Sequence, residues 1–457
     1  MGQAPQQIRD ILGPGGVQDG AGIEPYVLGG MTPEAVLFPA DEEELSSILR
    51  LASAEGKALV PWGGGTMQHL GYWPSRLDWV IGTRRLSGVV EYQEADFVIT
   101  ARAGTTLGEL NAFLQEHQQH LPLDPPEGDS ATLGGIAAAN ASGPLRLGFG
   151  TPRDLILGMR VLLADGRPIT FGARVVKSVA GYDLNKLYIG SLGILGVVSE
   201  ITFKLYSQAA GEGSLLAGFG ESEKAQAGLK TLLGARFLPI YLEWLQGEFI
   251  GEKAPSLPLE KLEKFPHVLG VGFSGNQAEV EGQQDRAESL LRQAGAEVFI
   301  RLRDQEATLA RRSFSLQDSS LSPVDQGGLL LRLMVPLTWV GWAIERVLEE
   351  GRPLRDEGFD GRFQAHAGSG VVRVWFGRGR GALPTERVRD MVAGVRAAVR
   401  EVGGHAILET MDSHLKETLD LWDEVSMPAL NLELMRRAKA ALDSEGLFNP
   451  GRFLGRI

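Results

Sequence analysis

Three stretches of this chain could carry chemistry, and the first has the makings of a seat for a diphosphate. The first is Trp62-Gly63-Gly64-Gly65-Thr66, which follows directly on a strand-like run from Lys57 to Pro61. A diphosphate needs several backbone N–H groups aimed at one place with no side chain in the way. Three glycines and a threonine hydroxyl supply that, although the same residues would also make a tight turn. The second is Ser130-Ala131-Thr132-Leu133-Gly134-Gly135, which continues through the small residues 136–142 to Gly143. Side chains this small let something approach the main chain closely, either a ligand or a neighbouring segment. The third runs from Lys177 to Gly196, with Ala180-Gly181-Tyr182-Asp183-Leu184 and then Gly190-Ser191-Leu192-Gly193-Ile194-Leu195-Gly196. Neither a G-x-G-x-x-G fingerprint after a strand nor a Walker A loop is present. Gly190, Gly193 and Gly196 precede a strand instead of opening a helix.

The elements that would hold these loops are legible. Residues 36–60 read as strand, helix, strand. Asp41 caps the helix, and Glu44 three positions on makes a pair of the capping-box kind. Leu45, Ile48, Leu49 and Ala52 form one apolar face, and Gly56 marks the stop. Residues 88–104 read as a hairpin with its turn at 93–96. Thr106 and Glu109 form a second capping box, which opens a helix carrying Leu107, Leu110 and Leu114. Asp165-Gly166 signals a two-residue hairpin, and Ile201, Phe203 and Leu205 alternate as a strand. Beyond about residue 208 the Gly-rich loops cease. A final helix is expected from Leu432 to Leu447, ending near Gly446 and leading into Phe448-Asn449-Pro450-Gly451-Arg452.

Composition narrows the chemistry. The 457 residues suffice for two or three domains. The net charge of −12 argues against nucleic acid as a partner. With no cysteine, the chain offers no disulfide, thiolate nucleophile, Cys-held zinc or iron–sulfur cluster. No apolar run approaches the length of a membrane span, so any membrane contact would be peripheral or through a partner. The expected location is cytoplasmic.

Taken in order, the three blocks resemble the FAD-binding domain of the vanillyl-alcohol-oxidase / p-cresol-methylhydroxylase family over residues 30–207. The ending Gly446–Arg452 is similar to the C-terminal tail of the same oxidases. Within the family, Val175–Leu205 and Gly403–Glu409 look most like the glycolate oxidase FAD-binding E subunits. The resemblance implies that Trp62, Gly63, Gly64, Gly65, Thr66 and Gln68 cradle the FAD pyrophosphate. It implies that Thr132, Leu133, Gly134 and Gly135 lie along the isoalloxazine. Asn140, Ser142 and Gly143 would sit near the diphosphate and ribityl chain, and Ile194, Gly196 and Val197 at the adenosine end. Some relatives bond FAD through a histidine after the first glycine loop. Thr66 stands there in this chain, so non-covalent FAD is expected.

The substrate side departs from the pattern. Related 2-hydroxy-acid dehydrogenases hold a divalent metal with His-x-Gly-Asp-Gly-Asn-x-His and Glu-His-Gly passages. Here the passages read His366-Ala367-Gly368-Ser369-Gly370-Val371-Val372-Arg373, and Glu409 followed by Thr410. One histidine and one glutamate are too few for a tight site, and no bound metal is expected. Arg373 could take the metal's place as carboxylate anchor with His366 as general base and Glu409 beside them. Alternatively the site has decayed, and His366 is an interior histidine with satisfied partners.

The expected fold is α+β. A two-subdomain FAD-binding domain of the p-cresol-methylhydroxylase type spans 1–207, split near residue 85. A mixed α/β cap covers 208–430, and 431–457 returns to the FAD domain. The expected activity is oxidation of a small 2-hydroxy acid of the glycolate or D-lactate type to the 2-oxo acid. A homologous FAD subunit and an iron–sulfur subunit would be partners, and they would supply any contact with the inner face of a membrane. The alternative is a non-catalytic subunit that relays electrons or supports assembly.

Overall fold

A computed structural model describes residues 6–172, 182–315, 328–377 and 381–457. Residues 177–181 of the third block lie outside the described residues. The chain forms two compact units. The first comprises 1–141, 151–208 and 424–457, and the second comprises 142–150 and 209–423.

The first unit contains two main sheets. In the smaller, Ala35–Leu37 and Leu59–Trp62 both run parallel to Trp79–Gly82, which lies between them. The helix Glu42–Glu55 connects the outer two. Its first turn is fixed by Asp41, whose side chain accepts from Glu44 N at 2.9 Å. Glu44 answers with Oε2 on Ala40 N at 2.7 Å instead of on its own cap residue, so only half of the expected box forms. Gly56 closes the helix in the left-handed region at φ 63°. The apolar face Leu45, Ile48, Leu49 and Ala52 packs on Leu37, Leu59 and Trp79.

The second sheet is antiparallel, in the order Val89–Gln93, Val98–Arg102, Val197–Lys204, Ile156–Leu162, Pro168–Gly172. Its face packs Ile99, Ile201 and Phe203 against Leu107, Leu110, Leu133 and Ile136. The final helix spans Ala429–Leu442, four residues short of Gly446. It stops early because the buried Asp443 carboxylate accepts from Leu447 N at 3.0 Å and Phe448 N at 2.8 Å. Those bonds turn the chain back onto Leu59, whose N–H donates to Leu447 O at 2.7 Å.

The second unit is an antiparallel sheet of eight strands among the described residues. Its order is Val298–Arg303, Gly211–Phe219, His267–Gly275, Tyr241–Leu245, Asp360–His366, Val371–Gly377, Gly328–Met334, His405–Met411. Helices such as Gln277–Gln293 and Thr385–Glu401 pack on it. The segment 142–150 belongs here and not to the span 1–207. Leu145 is in this unit's core, Gly148 N donates to Ile240 O at 3.2 Å, and Leu147 lies against Gly368.

Candidate functional site

Strand Leu59–Trp62 ends at a loop whose main chain is unusually bare. Among the described residues, the N–H groups of Gly64, Gly65, Thr66 and Met67 have no protein acceptor. Four successive unpaired amides are a costly arrangement unless water or a ligand meets them, and an anion is the natural ligand for such a nest. Gly65 sits at φ 79°, where a side chain would be strained. The reason for the other two glycines is closer to hand. A Cβ at Gly63 would come within 2.0 Å of Thr132 Oγ1, and one at Gly64 within 2.4 Å of Ser130 O. They let the first block lie flush against the second.

The second block begins at Thr132, which caps the short helix Leu133–Ala139 by accepting from Gly135 N at 3.3 Å. Its other leading amides are spent inside the protein: Leu133 N on Thr105 O at 2.9 Å and Gly134 N on Ala103 O at 2.8 Å. The helix therefore contributes shape, not anion-binding donors. A Cβ at Gly134 would lie 3.0 Å from Ala103 Cβ, so what crowds this glycine is the protein's own chain.

These blocks meet a third wall, built from Tyr188, 191–193 and 196–198, and a fourth from the tail residues Asn449 and Arg452. Together they line a single cleft. Trp62, Gly63, Gly64, Gly65, Thr66, Gln68, Thr132, Gly134, Gly135, Gly196 and Val197 line it. Leu133 and Ile194 are core residues instead. Asn140 is the left-handed C-cap of the short helix, and Ser142 and Gly143 fall in the second unit.

Sequence reasoning passed over Tyr188, Asn449 and Arg452. The tail motif was visible, but nothing local showed that it folds back to the glycine loop. Tyr188, between Leu187 and Ile189, looks like any core aromatic. Its ring stacks on Phe171 at 5.0 Å. Its hydroxyl is buried without a hydrogen-bond partner among the described residues. An orphaned hydroxyl, four orphaned amides and a narrow bare-backbone slot fit a dinucleotide with flat rings.

The second unit brings His366, Arg373 and Glu409 into one chain of contacts. Strands Asp360–His366, Val371–Gly377, Gly328–Met334 and His405–Met411 are neighbours, and their registers align the side chains. Arg373 Nη1 donates to His366 Nε2 at 2.7 Å, which leaves the ring proton on Nδ1, 2.7 Å from Glu243 Oε1. Arg373 Nε also reaches Glu409 Oε2 at 2.9 Å, and Arg332 Nη1 reaches Glu409 Oε1 at 3.0 Å. Gln364 Nε2 holds the other Glu243 oxygen at 3.0 Å. Glu243, Gln364, His366 and Glu409 are all buried. The array can grip a carboxylate or move a proton only if Arg373 changes partners. Among the described residues no cluster of three or more His, Asp or Glu suits a metal ion.

Two family models match. One described as "FAD binding domain" covers residues 33–172, and one described as "FAD linked oxidases, C-terminal domain" covers 212–453. The glycolate oxidase subunit GlcD of Bacillus subtilis is 26% identical over 93% of this chain and 89% of its own length. A D-lactate dehydrogenase of Archaeoglobus fulgidus is 28% identical over 92% and 91%. The glycolate oxidase subunit GlcE of Escherichia coli is 45% identical, over 26% of this chain and 34% of its own. Among solved structures, p-cresol methylhydroxylase with substrate bound superposes with a TM-score of 0.74 at 13% identity, covering 98% of this chain and 95% of that one. That likeness concerns the fold, which is the expected α+β architecture of the p-cresol-methylhydroxylase type.

Proposed function

Since the chain belongs to the family of FAD linked oxidases, we propose that it oxidises a small 2-hydroxy acid of the glycolate or D-lactate type to the 2-oxo acid. It is an FAD-linked oxidoreductase, and FAD supplies the acceptor for two electrons and the α-hydrogen. The reading of the FAD seat rests on one observation: four consecutive amides at 64–67 without protein acceptors, in a cleft made of bare main chain. Trp62 to Thr66 and Gln68 hold the diphosphate. Thr132, Gly134 and Gly135 shape the slot for the rings, and Gly196 and Val197 take the adenosine end. Thr66 in place of a bonding histidine leaves the cofactor dissociable.

On the substrate side, Arg373 carries the fork that suits a carboxylate. Once Arg373 turns to the substrate, His366 Nε2 is released to accept the hydroxyl proton, while Glu243 fixes the ring through Nδ1. Glu409 keeps Arg373 in place. The 2-oxo acid forms as the C–H hydride leaves, so the proton, the hydride and the new C=O bond balance.

A second reading is favoured by the same network. Both ring nitrogens of His366 and two nitrogens of Arg373 are already engaged. This suits a subunit that relays electrons or supports assembly without turning over substrate. Either way the partners are a homologous FAD subunit and an iron–sulfur subunit, consistent with relatives named as glycolate oxidase subunits. The complex works in the cytoplasm and meets the inner face of the membrane only through those partners. No helix among the described residues is long and apolar enough to cross a membrane.

Anaerobic addition of glycolate or D-lactate to the FAD-loaded chain separates the two readings. Bleaching of the flavin band is expected, and an unchanged band favours the relay. Acid denaturation of the same preparation should leave a colourless pellet and a yellow supernatant. A yellow pellet would refute dissociable FAD.

A further inference from the structure

Arg452 is 3% exposed and lines the glycine-loop cleft. Buried guanidinium groups ordinarily face a carboxylate, because an unpaired charge away from water is costly. Arg452 makes no ion pair among the described residues. Its partners are neutral oxygens: Gln68 O at 2.5 Å from Nη2, Leu70 O at 3.3 Å from Nε, and Asn449 Oδ1 at 3.3 Å from Nη1. Three hydrogen bonds leave two of its five N–H donors uncommitted. Burial pushes its pKa down to about 10, with no acidic neighbour opposing the shift. It is still a full cation at neutral pH.

Two of those carbonyls belong to the turn immediately after Gly63–Thr66. The tail is tied to the same place by its main chain, since Tyr72 N donates to Arg452 O at 2.9 Å and Asn449 N to Leu59 O at 2.8 Å. A lone positive charge is therefore fixed beside four amides that have no acceptor. Every feature at this end of the cleft awaits negative charge.

We infer that Arg452 is the counter-charge for the diphosphate of FAD: a cation whose missing anion arrives with the cofactor. The inference rests on the FAD reading and goes further, because it assigns the diphosphate's charge partner to the C-terminal tail. It also implies a trade. The cation burdens the empty fold and repays it on loading, through hydrogen bonds that charge makes stronger.

The test strips the full chain of FAD and titrates it with FAD and with riboflavin, which has the same ring system and no phosphate. Flavin fluorescence reports both. Arg452→Gln keeps a polar side chain without the charge. It should weaken FAD by about 10- to 100-fold, as for loss of a charged hydrogen bond, and leave riboflavin within about 2-fold. Arg452→Lys should regain most of the loss. The stripped Arg452→Gln protein should melt no lower than the stripped parent. Unchanged FAD affinity in Arg452→Gln overturns the inference. So does an equal loss of FAD and riboflavin with a lowered melting temperature, which would mark a loop staple and nothing more. If Arg452→Gln does not fold, Arg452→Lys decides: a kept preference for FAD over riboflavin supports the inference, and a lost one overturns it. If the unmodified chain takes up neither flavin, the FAD reading falls, and this inference with it.

Discussion

At the scale of single residues, Tyr188 shows what an apparently ordinary core position can hide. Burial pushes its phenol up to about 12, its hydroxyl has no partner among the described residues, and the residue lines the cleft. Leaving such a group unmet costs free energy, and removing it can cost the fold nothing. Tyr188→Phe should therefore leave the melting temperature of the stripped protein unchanged or slightly raised. It should weaken FAD roughly 3- to 10-fold, the worth of one neutral hydrogen bond. A variant that binds FAD as well as its parent would show that the hydroxyl does not meet the cofactor. The glycines were legible in the sequence because their types advertise bare main chain. Tyr188 was not, because an aromatic between Leu187 and Ile189 carries no mark distinguishing a packed ring from one that awaits a ligand. The individual reasons for the glycines were also hidden. Gly63, Gly64 and Gly134 answer to Thr132, Ser130 and Ala103, contacts that only the folded chain brings together.

At the scale of elements, the helix Glu42–Glu55 was legible from cap to stop, since a cap, an apolar face and a glycine are local signals. Its service to the rest of the unit was not. Glu42 in its first turn accepts from Arg160 Nε at 2.6 and 2.8 Å and from Ser199 Oγ at 2.6 Å. These bonds fasten the parallel sheet's helix to two strands of the antiparallel sheet. Burial alone would raise the Glu42 carboxyl, but the hydrogen bonds from Arg160 and Ser199 outweigh it and hold it below its ordinary 4.5. A depressed carboxylate stabilises the fold fully above its unfolded pKa and loses that contribution as pH falls through the folded one. Glu42→Gln should thus melt lower than the parent near pH 7, and the gap should close as pH falls below 4.5 and through the lowered pKa of the folded carboxyl. A gap that stays constant with pH would show that the charge is immaterial. The last helix gives the opposite lesson. Periodicity carried it on to Gly446, whereas Asp443 ends it by capturing the amides of Leu447 and Phe448.

At the scale of the molecule, the chain passes from the first unit to the second, back again, out once more, and finally home. The short excursion 142–150 was illegible because what claims it, Ile240 and Gly368, lies far along the sequence. The return of the tail was foreseeable in outline, and its consequence is measurable. Deleting 447–457 removes the main-chain bonds to Leu59, Tyr72 and Ser75 together with Arg452. The shortened chain should take up no FAD in a fluorescence titration, even where circular dichroism shows that folded structure persists. Uptake at the parent's affinity would mean that the cleft stands without its fourth wall.

The order in which a ribosome delivers these walls has a bearing on biogenesis. Gly63 emerges long before Arg452, so a growing chain that has yet to reach Arg452 lacks one wall of the seat. Loading at full affinity therefore waits until the chain has been made through Arg452.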